Sequence, residues 1–305
     1  MTKEDLRIIY MGTPEFAVES LRALVEGGYN VVAVVTMPDK PAGRGHRIRY
    51  SAVKQYALEA GLPILQPEKL KDPVFLEQLK SYHADLQIVV AFRMLPEAVW
   101  AMPRLGTFNL HAALLPQYRG AAPLNWAVIN GDKETGATTF MLKHEIDTGN
   151  IILQERMPIG EDENVGSVHD RLMLLGRDLV LKTVDLIIDC ENRGVIVPTI
   201  PQTETSNLRP APKIFKETCE IDFGRTAGEI HNFVRGLSPY PAAWCNLVIH
   251  GKEYENVKVY RVEPCAAPSD KDIVVPCADG YVRILELQLP GKKRMDARAL
   301  LNGLK

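Results

Sequence analysis

Short apolar runs alternate with amphipathic stretches over the first two thirds of the chain, and this pattern strongly limits the possible folds. LRIIYM (6–11), VVAVVT (31–36) and LQIVVA (86–91) are apolar at nearly every position but too short for buried helices. Strands that are apolar on both faces are typical of a parallel sheet covered by helices. We therefore predict an α/β domain with a mostly parallel sheet over residues 1–194.

The remaining elements of this domain are weaker but follow the same pattern. Four further strands are predicted, at 63–66, 107–112, 137–142 and 151–159. The last two are close enough in sequence to be antiparallel additions at the sheet edge. Thr13 is expected to cap a first helix, and a long helix is expected over 168–192, with Ser167 and Asp170 forming a capping box.

The sequence changes character at residue 195. Residues 195–212 are rich in Pro, Thr and Ser, which is typical of an extended linker. Residues 213–305 then show short alternating strands and a single helix, whose start is marked by Thr226 with Glu229 three residues later. This pattern predicts a second domain, a small β-barrel.

Composition excludes several classes of protein. The chain has 46% hydrophobic and 24% charged residues and a net charge of -2, as an ordinary globular protein does. Its first residues lack the apolar core of a secretory signal, and its five cysteines form no CxxC pair. We therefore expect a cytoplasmic protein with reduced thiols, no membrane segment and no metal site. Neither GxGxxG nor GxxxxGK[ST] occurs, so neither a nicotinamide cofactor nor ATP is indicated.

A polar cluster is predicted where the strand at 107–112 ends. Asn109 and His111 are two residues apart, so they share one face of that strand. Asp147 follows the next strand, in EIDTG. An amide donor, an imidazole and a carboxylate are the groups that acyl transfer to an amine requires. Each of them alone is more often a turn, cap or structural residue, so the prediction rests on their combination.

Two basic segments are candidates for binding a polyanion. The loop 37–53 is unusually long for a crossover connection and carries Lys40, Arg44, Arg47 and Arg49. It is interpreted either as a phosphate clamp or as a solvated loop. GKKR near the C-terminus (Lys292, Lys293 and Arg294) is interpreted either as a second nucleic-acid contact or as an exposed turn.

Several of these segments resemble the methionyl-tRNA formyltransferase family over essentially the whole chain. The matching segments are MGTPEFA (11–17), PDKPAGRG (38–45), FNLHAALLPQYRGAAP (108–123), EIDTG (145–149), LSPYPAAW (237–244) and LPGKKRM (289–295). The resemblance implies a Rossmann-like formyltransferase domain followed by an OB-like C-terminal domain. It also implies 10-formyltetrahydrofolate as donor and initiator methionyl-tRNA as acceptor. We expect the enzyme to act as a monomer.

The resemblance also implies residue roles. Asn109, His111 and Asp147 would be catalytic, and the loop Ala113, Leu114, Leu115 and Pro116 would bind the folate. The family commonly has Ser where this chain has Ala113, so a hydroxyl contact to the donor would be missing. The HxxLLPxxxG pattern is shared with sugar-amine N-formyltransferases and formyltetrahydrofolate hydrolases, which remain alternatives. The basic loop and the C-terminal domain favour a tRNA acceptor.

Overall fold

The chain divides into two structural units, each built from several stretches of sequence. The computed structural model describes residues 1–42, 47–203, 206–269 and 271–304, with the backbone alone at 41–42 and 47–48. The first unit comprises Met1–Arg119, Gly136–Met157 and Asp170–Arg209. The second comprises Gly120–Thr135, Pro158–His169 and Pro210–Lys305. The domain limits at 194 and 213 stay predictions.

A seven-stranded, mostly parallel sheet forms the centre of the first unit. Its strands are Ile8–Gly12 (β1), Val31–Val35 (β2), Ile64–Leu65 (β5), Leu86–Val90 (β6), Thr107–His111 (β7), Glu134–Met141 (β8) and Ile151–Pro158 (β9). The spatial order is β5-β2-β1-β6-β7-β8-β9. β1 pairs in parallel with both β2 and β6, and β7 pairs in parallel with β6. β8 runs antiparallel to β7, as predicted for an edge addition.

The strand predictions are confirmed. A strand buried on both faces needs apolar residues at nearly every position, and this pattern made the strands visible in the sequence. Every residue of β1 and β6 is buried. One face of the sheet packs Ile9, Val35 and Val89 into a core with Leu79 and Val99. Two further strands, Lys40–Ala42 (β3) and Arg47–Arg49 (β4), form a separate two-stranded hairpin within the basic loop, where no strand was predicted.

The helices are Val18–Glu26 (α1), Ala52–Glu59 (α2), Pro73–Ser81 (α3), Glu97–Trp100 (α4), Pro123–Ile129 (α5), Val165–Arg193 (α6), Ala227–Leu237 (α7) and Ala297–Gly303 (α8). Two predicted helix starts are wrong. A 3-10 turn at Glu15–Ala17 precedes α1, and the Thr13 hydroxyl is buried without a partner among the described residues. α6 begins three residues early because Asn164 accepts the amide hydrogen of Ser167.

The second unit contains an antiparallel half-barrel that is OB-like. Its strands are Ala243–Ile249 (β10), Lys252–Cys265 (β11), Ile273–Cys277 (β12), Gly280–Gln288 (β13) and Met295–Asp296 (β14). The order is β10-β11-β13-β12, with β14 paired to β13. The capping box at Thr226 and Glu229 is confirmed at the start of α7. The expectation of one helix is wrong, because Asp296 caps α8 through the amides of Arg298 and Ala299.

The five cysteines all lie among the described residues, and their reduced state stays a prediction. All five are free, and three of them, Cys190, Cys219 and Cys245, are buried. Burial raises the pKa of the Cys245 thiol to about 12, so this thiol is held in its unreactive neutral form.

Among the described residues, none of the helices has the length and apolar character of a membrane span. In the same part of the chain, no three His, Cys, Asp or Glu side chains come together as a metal site requires.

Gly149 generates a stability prediction, because the chain there passes very close to β8. A Cβ at this position would lie 1.6 Å from the carbonyl oxygen of Met141 and 3.0 Å from Cδ2 of Phe140. The backbone of β8 cannot yield easily, so Gly149→Ala should destabilise the protein by about 1–3 kcal/mol or more. Urea unfolding followed by circular dichroism would measure this loss.

Gly228→Ala is the matched control, since a Cβ there meets nothing within 4 Å and the residue lies in α7. That variant should be neutral or more stable by about 0.5–1 kcal/mol. An unfolding midpoint for Gly149→Ala equal to that of the wild type would show that the close approach is not needed.

Candidate active site

The site lies where β1, β6 and β7 end. These three strands are parallel neighbours, so their carboxyl ends reach the same edge of the sheet. Open α/β sheets bind their ligands at this edge. Asn109 and His111 lie at the carboxyl end of β7, and His111 is opposite Thr138 of β8.

His111 is buried and firmly oriented. Its side chain is 7% exposed, and Nε2 lies 2.8 Å from the carbonyl oxygen of Tyr118. A carbonyl can only accept, so Nε2 carries the hydrogen and Nδ1 is left to face the site. Tyr118 adopts a left-handed φ of 59°, and its own amide donates to the carbonyl of Arg209 at 2.7 Å. The loop after β7 thus folds back to orient the imidazole.

Asp147 approaches the free side of that imidazole. Its Oδ2 lies 3.9 Å from His111 Nδ1, and its side chain is 13% exposed. This separation exceeds a direct hydrogen bond, so the two groups can both turn to a substrate beside them. Asp147 also has a left-handed φ of 54°, a conformation that costs about 1–2 kcal/mol for a residue with a side chain. The surrounding structure must hold it there.

Asn109 completes the predicted set from the same strand. It is half-buried, and alternation places it on the His111 face. Its backbone pairs with Val89 on one side and Phe140 on the other. Among the described residues, no side-chain hydrogen bond occupies its amide. The structure therefore brings together an uncommitted amide donor, an oriented imidazole and a carboxylate.

The predicted folate loop is shaped by two polar side chains that sequence analysis missed. Thr138 Oγ1 donates to the carbonyl of Ala113 at 2.7 Å and accepts from the amide of Leu115 at 3.2 Å. Gln154 Nε2 donates to the carbonyl of Leu115 at 3.0 Å. Ala113 itself is fully buried. Each of these backbone groups already has a hydrogen-bond partner, and Ala113 and Leu115 stay predicted folate contacts.

The other two loop residues are more accessible. Leu114 and Pro116 are half-buried, although the Leu114 carbonyl accepts from the amide of Gln117. The sequence contained one signal for the residues that hold this loop, the polar pair Thr138-Thr139 within the predicted strand at 137–142. Such a signal does not distinguish a threonine that packs in a sheet from one that shapes a loop.

The described residues of the basic loop include the strands β3 and β4. Lys40 pairs with Arg49 across it, and both are exposed. The backbone of Arg47 lies opposite that of Ala42. Arg44 lies outside the described residues. The hairpin therefore presents at least two cations on adjacent exposed positions.

The C-terminal basic segment divides into two parts. Lys292 and Lys293 are exposed beside Gly291, which has a left-handed φ of 73°. Arg294 forms a two-pronged pair with Glu286, at 2.6 and 2.7 Å, and lies over the ring of Tyr260. This pairing raises the pKa of the Arg294 guanidinium. Arg294 is thus paired with Glu286 of its own unit, whereas Lys292 and Lys293 are exposed.

Comparison with known proteins assigns both parts of the chain. The formyl transferase family model matches residues 6–184, and the model of the formyl transferase C-terminal domain matches 213–305. Methionyl-tRNA formyltransferase of Bacteroides thetaiotaomicron is 60% identical, covering 100% of this chain and 98% of that protein. Methionyl-tRNA formyltransferase of Porphyromonas gingivalis is 51% identical, covering 99% of this chain and 97% of that protein.

Solved structures share the fold at much lower identity. The sugar 3N-formyltransferase WlaRD, solved with dTDP and 5-N-formyl-THF, superimposes with a TM-score of 0.66 at 19% identity, covering 94% of this chain and 99% of that chain. HypX from Aquifex aeolicus, solved with tetrahydrofolic acid, gives a TM-score of 0.62 at 18% identity. That match covers 97% of this chain and 47% of HypX.

Asp39 generates a prediction about the hairpin, because it anchors the strand that leads into it. Its carboxylate accepts from Lys54 Nζ at 2.5 Å and from Gln66 Nε2 at 2.8 Å, and these hydrogen bonds lower its pKa. A lowered pKa means that the anchor is complete above the usual carboxyl range and is lost only as pH falls through the depressed value. Asp39→Ala should therefore speed hydrogen exchange of amides at 47–50, measured by mass spectrometry.

Lys54→Met removes the same contact from the other side and should have a similar effect. In the wild type, exchange corrected for its intrinsic pH dependence should stay constant from pH 8 to pH 5. Wild-type protection in both variants would show that the anchor does not hold the hairpin.

Proposed function

This chain belongs to the formyl transferase family, among the methionyl-tRNA formyltransferases, and we propose that it formylates the α-amine of initiator methionyl-tRNA with 10-formyltetrahydrofolate. The observation that carries the proposal is the pair formed by His111 and Asp147, 3.9 Å apart beside Asn109. These are the groups that formyl transfer to an amine requires. The full-length relatives support methionyl-tRNA as the acceptor, and the folate-bound neighbours support the donor.

The proposed reaction forms and breaks one bond to the formyl carbon. The α-amine nitrogen attacks that carbon, its carbonyl oxygen becomes an oxyanion, and the bond to N10 of the folate then breaks. The proton lost by the amine finishes on N10, so the products are formylmethionyl-tRNA and tetrahydrofolate. Asn109 Nδ2 donates to the oxyanion as charge develops.

His111 and Asp147 share the proton transfers. His111 acts through Nδ1, because its Nε2 hydrogen is already given to Tyr118. Asp147 receives the amine proton directly or through a water beside the two side chains. His111 Nδ1, once protonated, stabilises the oxyanion together with Asn109 and can return a proton to N10. Placing both groups beside one reacting centre also removes the entropic cost of assembling them.

The folate is proposed to contact the loop Ala113–Pro116, mainly through the accessible Leu114 and Pro116. For the tRNA, the cations of the basic loop, Lys40, Arg44, Arg47 and Arg49, are proposed to bind acceptor-stem phosphates. Lys292 and Lys293 are proposed as backbone contacts, with Arg294 contributing only if it leaves Glu286. We further propose that the enzyme acts as a monomer in the cytoplasm, where charged tRNA is used.

One assay with three acceptor conditions tests the function. 10-formyltetrahydrofolate is supplied with charged initiator tRNA, charged elongator methionine tRNA, or no acceptor, and formyl transfer is followed. Rapid transfer is expected only with the initiator tRNA. Release of formate without acceptor would indicate a hydrolase, and transfer to a nucleotide-linked amino sugar would indicate a sugar N-formyltransferase. Either result in place of tRNA formylation would overturn the proposal.

In the same assay, Asn109→Ala and His111→Ala should each reduce turnover by at least about 10²–10³-fold, as loss of an oxyanion donor does. His250→Ala is the control, since His250 is exposed at the turn between β10 and β11. Near-normal turnover in either of the first two variants would remove that residue from the mechanism.

The proposed phosphate contacts predict a change in salt dependence. Removal of one cation that binds a phosphate should reduce the slope of log kcat/KM for tRNA against log salt concentration by about 0.7–0.9. Arg44→Ala and Arg49→Ala should therefore flatten the slope. Arg193→Ala is the matched control, because Arg193 pairs with Asp189 near the end of α6. Unchanged slopes in both basic-loop variants would favour the interpretation as a solvated loop.

A further inference from the structure

Gln202 connects the two loops that carry the proposed proton-transfer groups. It lies in the segment after α6, predicted as a linker. Two residues earlier, Ile200 exchanges two backbone hydrogen bonds of 2.8 Å with Ile151 at the start of β9. This pairing fixes the register of the segment against the first unit. Gln202 is consequently held at a defined position, half-buried, rather than on a free linker.

One end of its side chain holds the Asp147 loop. Gln202 Nε2 donates to the carbonyl oxygens of Asp147 and Gly149, each at 2.8 Å. Both hydrogens of the amide group are thus used on the two carbonyls that flank Thr148. Asp147 has the strained left-handed φ that requires outside support. The donation from Gln202 supplies support at that residue.

The other end holds the loop that orients His111. Gln202 Oε1 accepts from Arg119 Nε at 3.1 Å and from Arg119 Nη2 at 2.8 Å. Arg119 directly follows Tyr118, whose carbonyl accepts the Nε2 hydrogen of His111. One amide side chain therefore spans from the backbone of Asp147 to the residue next to the partner of His111.

We infer that Gln202 is a positioning residue, which sets the distance between Asp147 and His111 and so acts on turnover through Asp147. This inference rests on the proposed function of that pair. The position requires two donors toward carbonyls and an acceptor toward a guanidinium, which only an amide side chain supplies, and Asn is one methylene shorter. A glutamate keeps the acceptor, and pairs more strongly with Arg119, but has no hydrogen to donate to the carbonyls.

Gln202→Glu therefore separates the two halves of the contact. It should lower kcat for formyl transfer at least tenfold, while KM for the folate and for charged initiator tRNA changes by less than about twofold, because misplacement of a reacting group affects the chemical step. The pH profile of kcat should also change, since the spacing of the two proposed proton-transfer groups changes. Gln202→Met, of similar size and without polar groups, should do the same and serves if the glutamate variant folds poorly.

Thr199→Ala is the matched control. Thr199 Oγ1 accepts from Asn150 Nδ2 at 3.3 Å, so it attaches the same segment without contacting either loop carbonyl. Its kcat and pH profile should stay within about twofold of the wild type. An equal loss in Thr199→Ala would mean that attachment of the segment, and not the Gln202 amide, is what matters.

A double-variant comparison distinguishes failure of this inference from failure of the proposed function. Asp147→Asn should be slow, and Gln202→Glu combined with Asp147→Asn should be no slower than Asp147→Asn alone. A further multiplicative loss in the double variant, or normal turnover in Gln202→Glu, would overturn the role of Gln202. Normal turnover in Asp147→Asn would instead overturn the proposed role of Asp147.

Discussion

The hydrogen bond from His111 to the carbonyl of Tyr118 is the contact around which the site is organised. It joins the end of β7 to a loop that must reverse within seven residues and pass through a left-handed residue to present that carbonyl. Because the imidazole is buried, loss of this acceptor would leave a polar group unsatisfied, at a cost of about 1–3 kcal/mol. The loop and the imidazole therefore stabilise each other, and Nδ1 is directed toward Asp147.

Support for that loop comes from chain segments remote in sequence. The amide of Tyr118 donates to Arg209, and the side chain of Gln117 both donates to the carbonyl of Asn207 and accepts from the amide of Arg209. On the other side, Thr138 and Gln154 hold the backbone at Ala113 and Leu115. The segment after α6 is thus part of the first unit as far as Arg209. Its described residues are held both by backbone pairing, at Ile200 and Arg209, and by side-chain hydrogen bonds with loops.

Sequence patterns located the elements well where one physical requirement dominated. Strands β1, β2 and β6 were found within two residues because burial on both faces demands uninterrupted apolar side chains. The start of α7 was found because Thr226 and Glu229 satisfy each other locally. The start of α6 was misplaced because Asn164 and Ser167 are both residue types that cap helices. In the structure Asn164 accepts the amide hydrogen of Ser167, and Ser167 Oγ donates to Glu163, so Asn164 is the cap.

The sequence by itself determined the parallel sheet, the half-barrel after it, and the amide, imidazole and carboxylate that we propose for formyl transfer. Alternation along a single strand sufficed to place Asn109 and His111 on one face. Only the tertiary structure decided which imidazole nitrogen is free, that the backbone of the predicted folate loop is already paired at Ala113 and Leu115, and that Gln202 lies between Arg119 and the Asp147 loop. Hydrogen bonds between residues separated by 55 or 83 positions leave no periodic trace in a sequence, since they depend on how loops meet and not on how a strand or helix repeats.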